Sequence, residues 1–354
     1  MNLIQLLKFA KDRAASDVHI ASGAPPGLRI DGKIVRVKMD KLSSEDARRI
    51  CYSVLNDQQK AKFEQSKELD FSFEVKGVAR FRANYYFSKG TVSGAFRQVP
   101  VKIPDFRSLG LPDYLKALTN FPNGLILVTG PTGSGKTTTI AALLDVVNKT
   151  KYGHITTLED PIEYLHTHGK CIVSQREIGA DSNSFARALK SVVRQDPDYC
   201  LIGEMRDLEV IETALQLAET GHLVFSTLHT NSAIQTINRL VSVFPAEQQD
   251  RIRVILSFTL QGVISQKLLP SKKGGRVLAY ELLLLNPGVR NLIRENKLHQ
   301  IETMMQVGQE KSGMTTLNQN LFSLFKAGHI SKEQAIENSL DMEAMMNTFK
   351  KAGF

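Results

Sequence analysis

The spacing of apolar positions changes character along this 354-residue chain. Over residues 2–15 and over "SSEDARRICYSVL" (43–55) apolar side chains recur at helical spacing, with Ser43 or Ser44 placed to cap the second helix. "GLRIDGKIVRVK" reads as two short strands turned by Asp31-Gly32. The run "LDFSFEVKGVARFRANYYFSKGTVSGAFRQV" (69–99) is strand-like, and Lys-Gly pairs at 76–77 and 89–90 punctuate it as a meander. Residues 1–100 therefore predict a small α+β unit. "PVKIPDFRSLGLPDYL" (100–115) is proline-rich and has no period, which reads as a linker.

From residue 124 the pattern becomes strand and helix in alternation. "GLILVTG", "HITTLED", "YCLIGE" and "HLVFSTLH" are apolar runs of strand length. They alternate with the amphipathic stretches "KTTTIAALLDVVNK", "FARALKSVVRQD", "DLEVIETALQLAETG" and "SAIQTINRLVSVF". Continuous apolar strands separated by helices predict a mostly parallel sheet covered on both faces, an α/β fold. After about residue 246 the pattern predicts mostly helix, interrupted by the strand-like "RVLAYELLLL".

Composition narrows the class. Hydrophobic residues at 42% and charged residues at 23% are ordinary for a globular protein, and no apolar run is long enough to span a bilayer. The N-terminal stretch carries acids and reads as an amphipathic helix, unlike a signal peptide. Cys51, Cys171 and Cys200 are odd in number and far apart, so neither a disulfide frame nor a metal knuckle is expected, and a reducing cytoplasm is. Lys and Arg exceed Asp and Glu by nine, and residues 1–100 hold 18 bases against 11 acids, so seven of that excess lie in the first unit. Such a surface could meet nucleic acid, anionic lipid or an acidic neighbour, or could simply be solvated.

Chemistry enters with "GPTGSGKT", residues 130–137: Gly130, Pro131, Thr132, Gly133, Ser134, Gly135, Lys136 and Thr137, with Thr138 following. It lies directly after an apolar strand and directly before a helix. Its glycines let backbone N–H groups turn inward on phosphates, and the helix N-terminus adds partial positive charge. Lys136 can reach the β- and γ-phosphates and the Thr137 hydroxyl can ligate Mg²⁺, so ATP and Mg²⁺ are the expected ligands. Three further clusters fall at strand ends, where α/β ligand sites form. Glu204 ends "DPDYCLIGE", suited to Mg²⁺ through water or to the attacking water. Glu159, Asp160 and Glu163 end "HITTLED" and continue past it, and His222 and His229 bracket "LVFSTL". Each alone could be an ordinary surface or structural residue; together, in this order after a phosphate loop, they read as an active site.

The boxes "TLEDPIEY", "IGEMRD" and "ETGHLVFSTLHT" resemble those of the secretion ATPase superfamily of type II secretion, type IV pili and conjugation. Within it, "SDVHI", "RFRAN", "ISQKLLP" and "RNLIRE" are similar to the retraction motors of type IV pili. The resemblance implies a PAS-like N-terminal domain (1–100), a linker (101–118), a RecA-like P-loop core (119–285) and a C-terminal helical subdomain (286–354). It implies a homohexamer with ATP sites between N-terminal and C-terminal domains. Arg82 and Arg97 match the family's nucleotide-contacting arginines, Arg80 is a third, and Glu163 is the expected general base or water-positioner. Extension motors usually carry further N-terminal domains and a four-cysteine zinc insertion. The short N-terminus and three scattered cysteines therefore favour retraction. The implied partners are an inner-membrane pilus platform protein and an accessory ATPase paralogue, with the chain cytoplasmic and peripheral at that membrane. The alternatives are a nucleic-acid translocase and an accessory ATPase of little turnover. No aromatic-interleaved basic stripe is present and Trp is absent, so nucleic acid is not expected.

The stretch "NPGVRNLIRENKLHQ" (286–300) lies outside this machinery. Asn286 as cap and Pro287 at the first turn predict a short helix, on which Arg290 and Arg294 share a face at i, i+4 while Leu292 and Ile293 point into the C-terminal bundle. Two solvated arginines would look the same. The resemblance implies a surface that transmits force and takes no part in the phosphate chemistry.

Overall fold

The computed structural model describes residues 2–30, 32–100, 102–306 and 313–354. It resolves into two compact units. The first contains the chain through Lys102 with two later segments, Asp160–Leu165 and Glu177–Asp181; the second contains the remainder.

The first unit runs α1 (Leu3–Asp12), β1 (Asp17–Ile20), β2 (Gly27–Ile30), β3 (Lys33–Arg36), α2 (Ser44–Tyr52), α3 (Asp57–Ser66), β4 (Glu68–Val75), β5 (Ala79–Ser88) and β6 (Thr91–Val99). The strands form one antiparallel sheet in the order β3-β2-β1-β6-β5-β4. Of the two expected caps for α2 the structure uses Ser43, in a reciprocal box with Asp46. Gly77 and Gly90, both at φ +76°, turn the meander where the Lys-Gly pairs predict. Asp31 lies outside the described residues, but Ile30 pairs with Lys33 across its turn. One face of the sheet buries Val18, Ile20, Phe81, Ala83, Tyr85 and Phe96 against Leu3, Leu6, Leu7, Ile50 and Phe63 of the helices. Period-2 alternation then puts Asp17, Arg29, Arg82 and Arg97 together on the other face. Helix α3 is legible only in hindsight, because Phe63 is its sole buried residue and no apolar stripe marks it.

In the second unit follow β7 (Gly124–Thr129), α4 (Lys136–Thr150), β8 (Gly153–Glu159), β9 (Cys171–Glu177), α5 (Phe185–Val192), β10 (Tyr199–Ile202), α6 (Leu208–Glu219), β11 (Leu223–Leu228), α7 (Ala233–Ser242), α8 (Ala246–Thr259), β12 (Leu260–Pro270) and β13 (Arg276–Leu284). The sheet order is β13-β12-β7-β11-β10-β8-β9. From β12 through β8 neighbouring strands are parallel, and β13 closes one edge antiparallel. Every residue of β7 and β11 is buried, as a sheet covered on both faces requires.

Two expectations are corrected. Residues 260–270 are not helical; they form β12, a strand beside β7. Helix α8 passes into it at Thr259–Leu260 with no glycine or proline to mark the change. The stretch expected as a linker is not a free tether from Ile103 onward. Phe106, Leu111, Leu115 and Leu118 are buried in the core of the second unit, although their spacing matches neither helix nor strand.

The remaining helices are α9 (Pro287–Arg294), α10 (Ile301–Gln306), α11 (Leu317–Lys326), α12 (Lys332–Asn338) and α13 (Met342–Lys351). The last three form a satellite core of Leu317, Leu321, Ala335, Met345 and Phe349 on Leu269 and Ala279 of the β12–β13 pair. Among the described residues no helix is long and apolar enough to cross a membrane.

Candidate active site

The parallel registers decide which strand ends meet. Thr129 at the end of β7 stands beside Leu228 at the end of β11, Ile202 of β10 beside Ser226, and Leu158 of β8 beside Ile202. The residues that follow therefore line one edge of the sheet: the loop starting at Gly130, then His229, then Glu204, then Glu159. This is the carboxyl edge, where helix N-termini converge and α/β sites form.

The loop turns through three glycines of positive φ, Gly130 at +140°, Gly133 at +80° and Gly135 at +89°. Gly135 is the N-cap of α4 and supplies no side-chain cap, so the N-terminus of the helix opens onto the loop with its partial positive charge. Lys136 is buried, and its ammonium donates to the carbonyls of Gly130 (2.9 Å) and Pro131 (3.2 Å). It also lies 3.5 Å from Nδ1 of His229. The other ring nitrogen, Nε2, is 3.2 Å from a Glu204 oxygen, and Arg206 holds the second oxygen at 2.9 Å. An ammonium can only donate, so His229 Nδ1 accepts and Nε2 carries the proton toward the carboxylate. Lys136, His229, Glu204 and Arg206 thus form one chain of charge and hydrogen bonds along the strand ends.

Glu159 is buried at 5% exposure and its Oε1 accepts from Thr157 (2.6 Å) and Gln175 (3.1 Å). The acidic box divides immediately after it. Asp160 and Glu163 belong to the first unit, where the Ile162 N–H donates to Glu177 (3.1 Å). Glu177 also pairs with Arg80 at 3.1 Å, with the carboxylate only 4% exposed. That pairing holds Arg80 in an ion pair within its own unit. Arg82 and Arg97 face one another directly across β5 and β6, both exposed. Asp17 holds Arg97 through Nε at 2.8 Å. Burial alone would raise the Asp17 carboxyl, but hydrogen bonds from Ser16 and Arg97 and the charge of Arg97 outweigh it and lower its pKa.

His222 is removed from the group. Its carbonyl accepts from Gly124 N–H (3.0 Å) at the start of β7, and its Nδ1 lies 3.0 Å from the Leu217 carbonyl. It sits at the amino edge of the sheet, with the whole of β11, about 20 Å, between it and His229. The sequence pattern places the two histidines symmetrically about the strand, and a strand sends its two ends to opposite edges.

A further participant is not singled out by any sequence spacing. Gln266 of β12 is 2% exposed; its Nε2 donates to the Ser134 carbonyl (2.8 Å) and its Oε1 accepts from Thr139 (3.0 Å). The motif "ISQKLLP" was visible, but nothing in the spacing connects residue 266 to residue 134.

The residues fit a nucleoside triphosphate with Mg²⁺. The Ser134 hydroxyl is buried within the loop without a protein partner, an arrangement suited to a phosphate oxygen. Thr137 and Glu204 offer hard oxygen donors of the type Mg²⁺ prefers.

Residues 2–336 match the family model for type II/IV secretion system proteins. The chain is 48% identical to the type IV pilus retraction ATPase PilT of Pseudomonas aeruginosa, covering 96% of this chain and 98% of that one. Against the type IV pilus ATPase PilU of the same organism the identity is 37%, over 96% and 89%. A crystal structure of the pilus retraction motor PilT with bound ADP superposes with a TM-score of 0.92 at 52% identity, covering 97% of this chain and 98% of that one.

Proposed function

The chain belongs to the type II/IV secretion system protein family, and on that premise we propose that it is the hexameric motor whose ATP hydrolysis drives retraction of type IV pili. It is an ATP hydrolase. The observation that carries the motor reading is the end-to-end likeness to a pilus retraction motor, combined with the Lys136–His229–Glu204 chain at the phosphate loop. Identity is higher to the retraction motor than to the second pilus ATPase of the same organism, 48% against 37%, which favours the principal motor over an accessory one.

In this reading the loop N–H groups and Lys136 hold the β- and γ-phosphates. Thr137 and Glu204 would hold Mg²⁺, which would supply neutralisation of the phosphate charge. Glu163 takes the proton of the attacking water as its oxygen bonds to the γ-phosphorus and the bond to the ADP oxygen breaks. Arg82 and Arg97 stabilise the charge of the transferring group. His229 senses that charge through Lys136 and passes its effect to Glu204. The ring works at the cytoplasmic base of the pilus machine, peripheral to the inner membrane, against the platform protein and alongside an accessory paralogue.

Deletion of the gene with scoring of surface pili tests the proposal. Over-piliated cells that cannot twitch are expected. Cells that lose their pili would make this an extension motor and overturn it.

A further inference from the structure

We infer that Gln266 is a positioning residue of the phosphate loop, holding the Ser134–Gly135 peptide so that its N–H is presented to the phosphates. In a trans peptide the C=O and the following N–H point in opposite directions. Gln266 Nε2 holds the Ser134 carbonyl at 2.8 Å, so the Gly135 N–H is turned away from β12. The amide assignment is forced, since a carbonyl oxygen accepts only from the NH₂ end. Its other end is occupied as well, with Oε1 accepting from Thr139 in the first turns of α4 at 3.0 Å. One side chain thus links the loop to the helix it opens.

The need for such a brace comes from Gly135. At φ +89° and without a Cβ, it offers little resistance to rotation of the preceding peptide. Rotation would aim a carbonyl dipole where an N–H belongs. Two glycines are packed against this same residue. A Cβ on Gly130 would lie 2.2 Å from the Gln266 carbonyl oxygen, and one on Gly135 would lie 3.3 Å from Gln266 Nε2. The loop is therefore seated on Gln266, at the cost of having no side chains there. Gln266 is 2% exposed, so an unpaired amide at this point would be costly and its two bonds are not incidental.

The inference rests on the loop being the nucleotide site, and the test separates the two. Gln266→Met keeps length and volume and removes both hydrogen bonds. ADP binding to the full-length protein is measured by calorimetry, with steady-state ATPase and the melting midpoint without nucleotide alongside. The expected result is a loss of ADP affinity of about tenfold or more, consistent with one unmade buried hydrogen bond. The KM for ATP should rise more than kcat falls; the nucleotide-free midpoint should drop somewhat, since Ser134 and Thr139 lose buried partners, while the protein stays folded at the assay temperature. Thr139→Val removes only the bond that orients the amide and should lose a smaller part of the affinity; it decides the matter if Gln266→Met does not fold. Lys136→Ala is the control for the site itself. Parental affinity in folded Gln266→Met, with affinity lost in Lys136→Ala, overturns the role of Gln266 alone. Parental affinity in both overturns the loop as the nucleotide site.

Discussion

Arg290 lies with Nη1 2.6 Å from the carbonyl oxygen of Ser257, joining the helix of "RNLIRE" to the end of α8. The same nitrogen reaches the carbonyls of Phe258 (3.1 Å) and Leu260 (3.3 Å), and Nη2 reaches Gln261 Oε1 (2.8 Å). These are the unpaired carbonyls that close a helix, so Arg290 acts as a C-terminal cap supplied from another helix. Arg294, four residues on, stays exposed with its guanidinium 5.7 Å from the ring centre of Phe258, itself 63% exposed. The expectation that both arginines serve one transmission surface is thereby divided. Arg290→Ala should destabilise the second unit by about 1–3 kcal/mol, read as a lower melting midpoint. Arg294→Ala should leave stability and ATPase within error while retraction fails. ATPase falling in proportion to motility in Arg294→Ala would place that side chain in the catalytic cycle.

At the loop, Lys136→Ala should abolish hydrolysis and weaken ATP binding, since it removes the cation from the phosphates. Glu204→Gln and Glu163→Gln should still bind ATP while losing most turnover, about 10²-fold or more. Parental hydrolysis in Glu163→Gln would remove it as base or water-positioner. His229→Ala breaks the link from Lys136 to Glu204 and should lower kcat with little change in ADP affinity, checked by the same pair of measurements.

Arg82→Ala and Arg97→Ala proteins should bind ATP and hydrolyse it slowly, with losses on the order of 10³-fold where the arginine meets the transferring phosphoryl group. Asp17→Asn frees Arg97 without deleting it and should give a smaller loss. Specific activity should rise with protein concentration as rings assemble. Full activity in a monomer, shown by sedimentation during the assay, would refute this arrangement.

Glu281 sets a pH dependence of stability. It sits on β13 at 6% exposure and accepts from the N–H of Ala233 (2.7 Å) and of Leu317, the first residues of α7 and α11. Burial pushes its carboxyl up to about 7, with the charge of Glu302 adding to it and the two N–H donors opposing. The folded state therefore holds a proton that the unfolded chain releases near its ordinary value. Stability from this group is full at low pH and is lost as pH rises through about 7. Glu281→Gln should gain on the parent as pH climbs through that window, read as the difference in melting midpoint. A difference independent of pH would show that the carboxyl does not titrate there.

The sequence by itself determined those features that depend on neighbours along the chain. A Gly-rich turn between an apolar strand and a helix can be read from residues 124–149, because backbone conformation, helix dipole and the reach of one lysine are all local. The caps at Ser43 and Asn286 and the glycine turns of the first sheet are local in the same way. Strand order and register are not. They decide that His229 meets Lys136 while His222, seven residues earlier, goes to the far edge. They also bring Gln266 beneath a carbonyl 132 residues away. Phe106 and Leu111 enter a core that no periodicity announces, because irregular backbone buries side chains wherever the surrounding elements leave space. Arg290 and Arg294 look equivalent on a helical wheel. Only the packing of α9 against the end of α8 gives one of them carbonyls to hold and leaves the other to solvent.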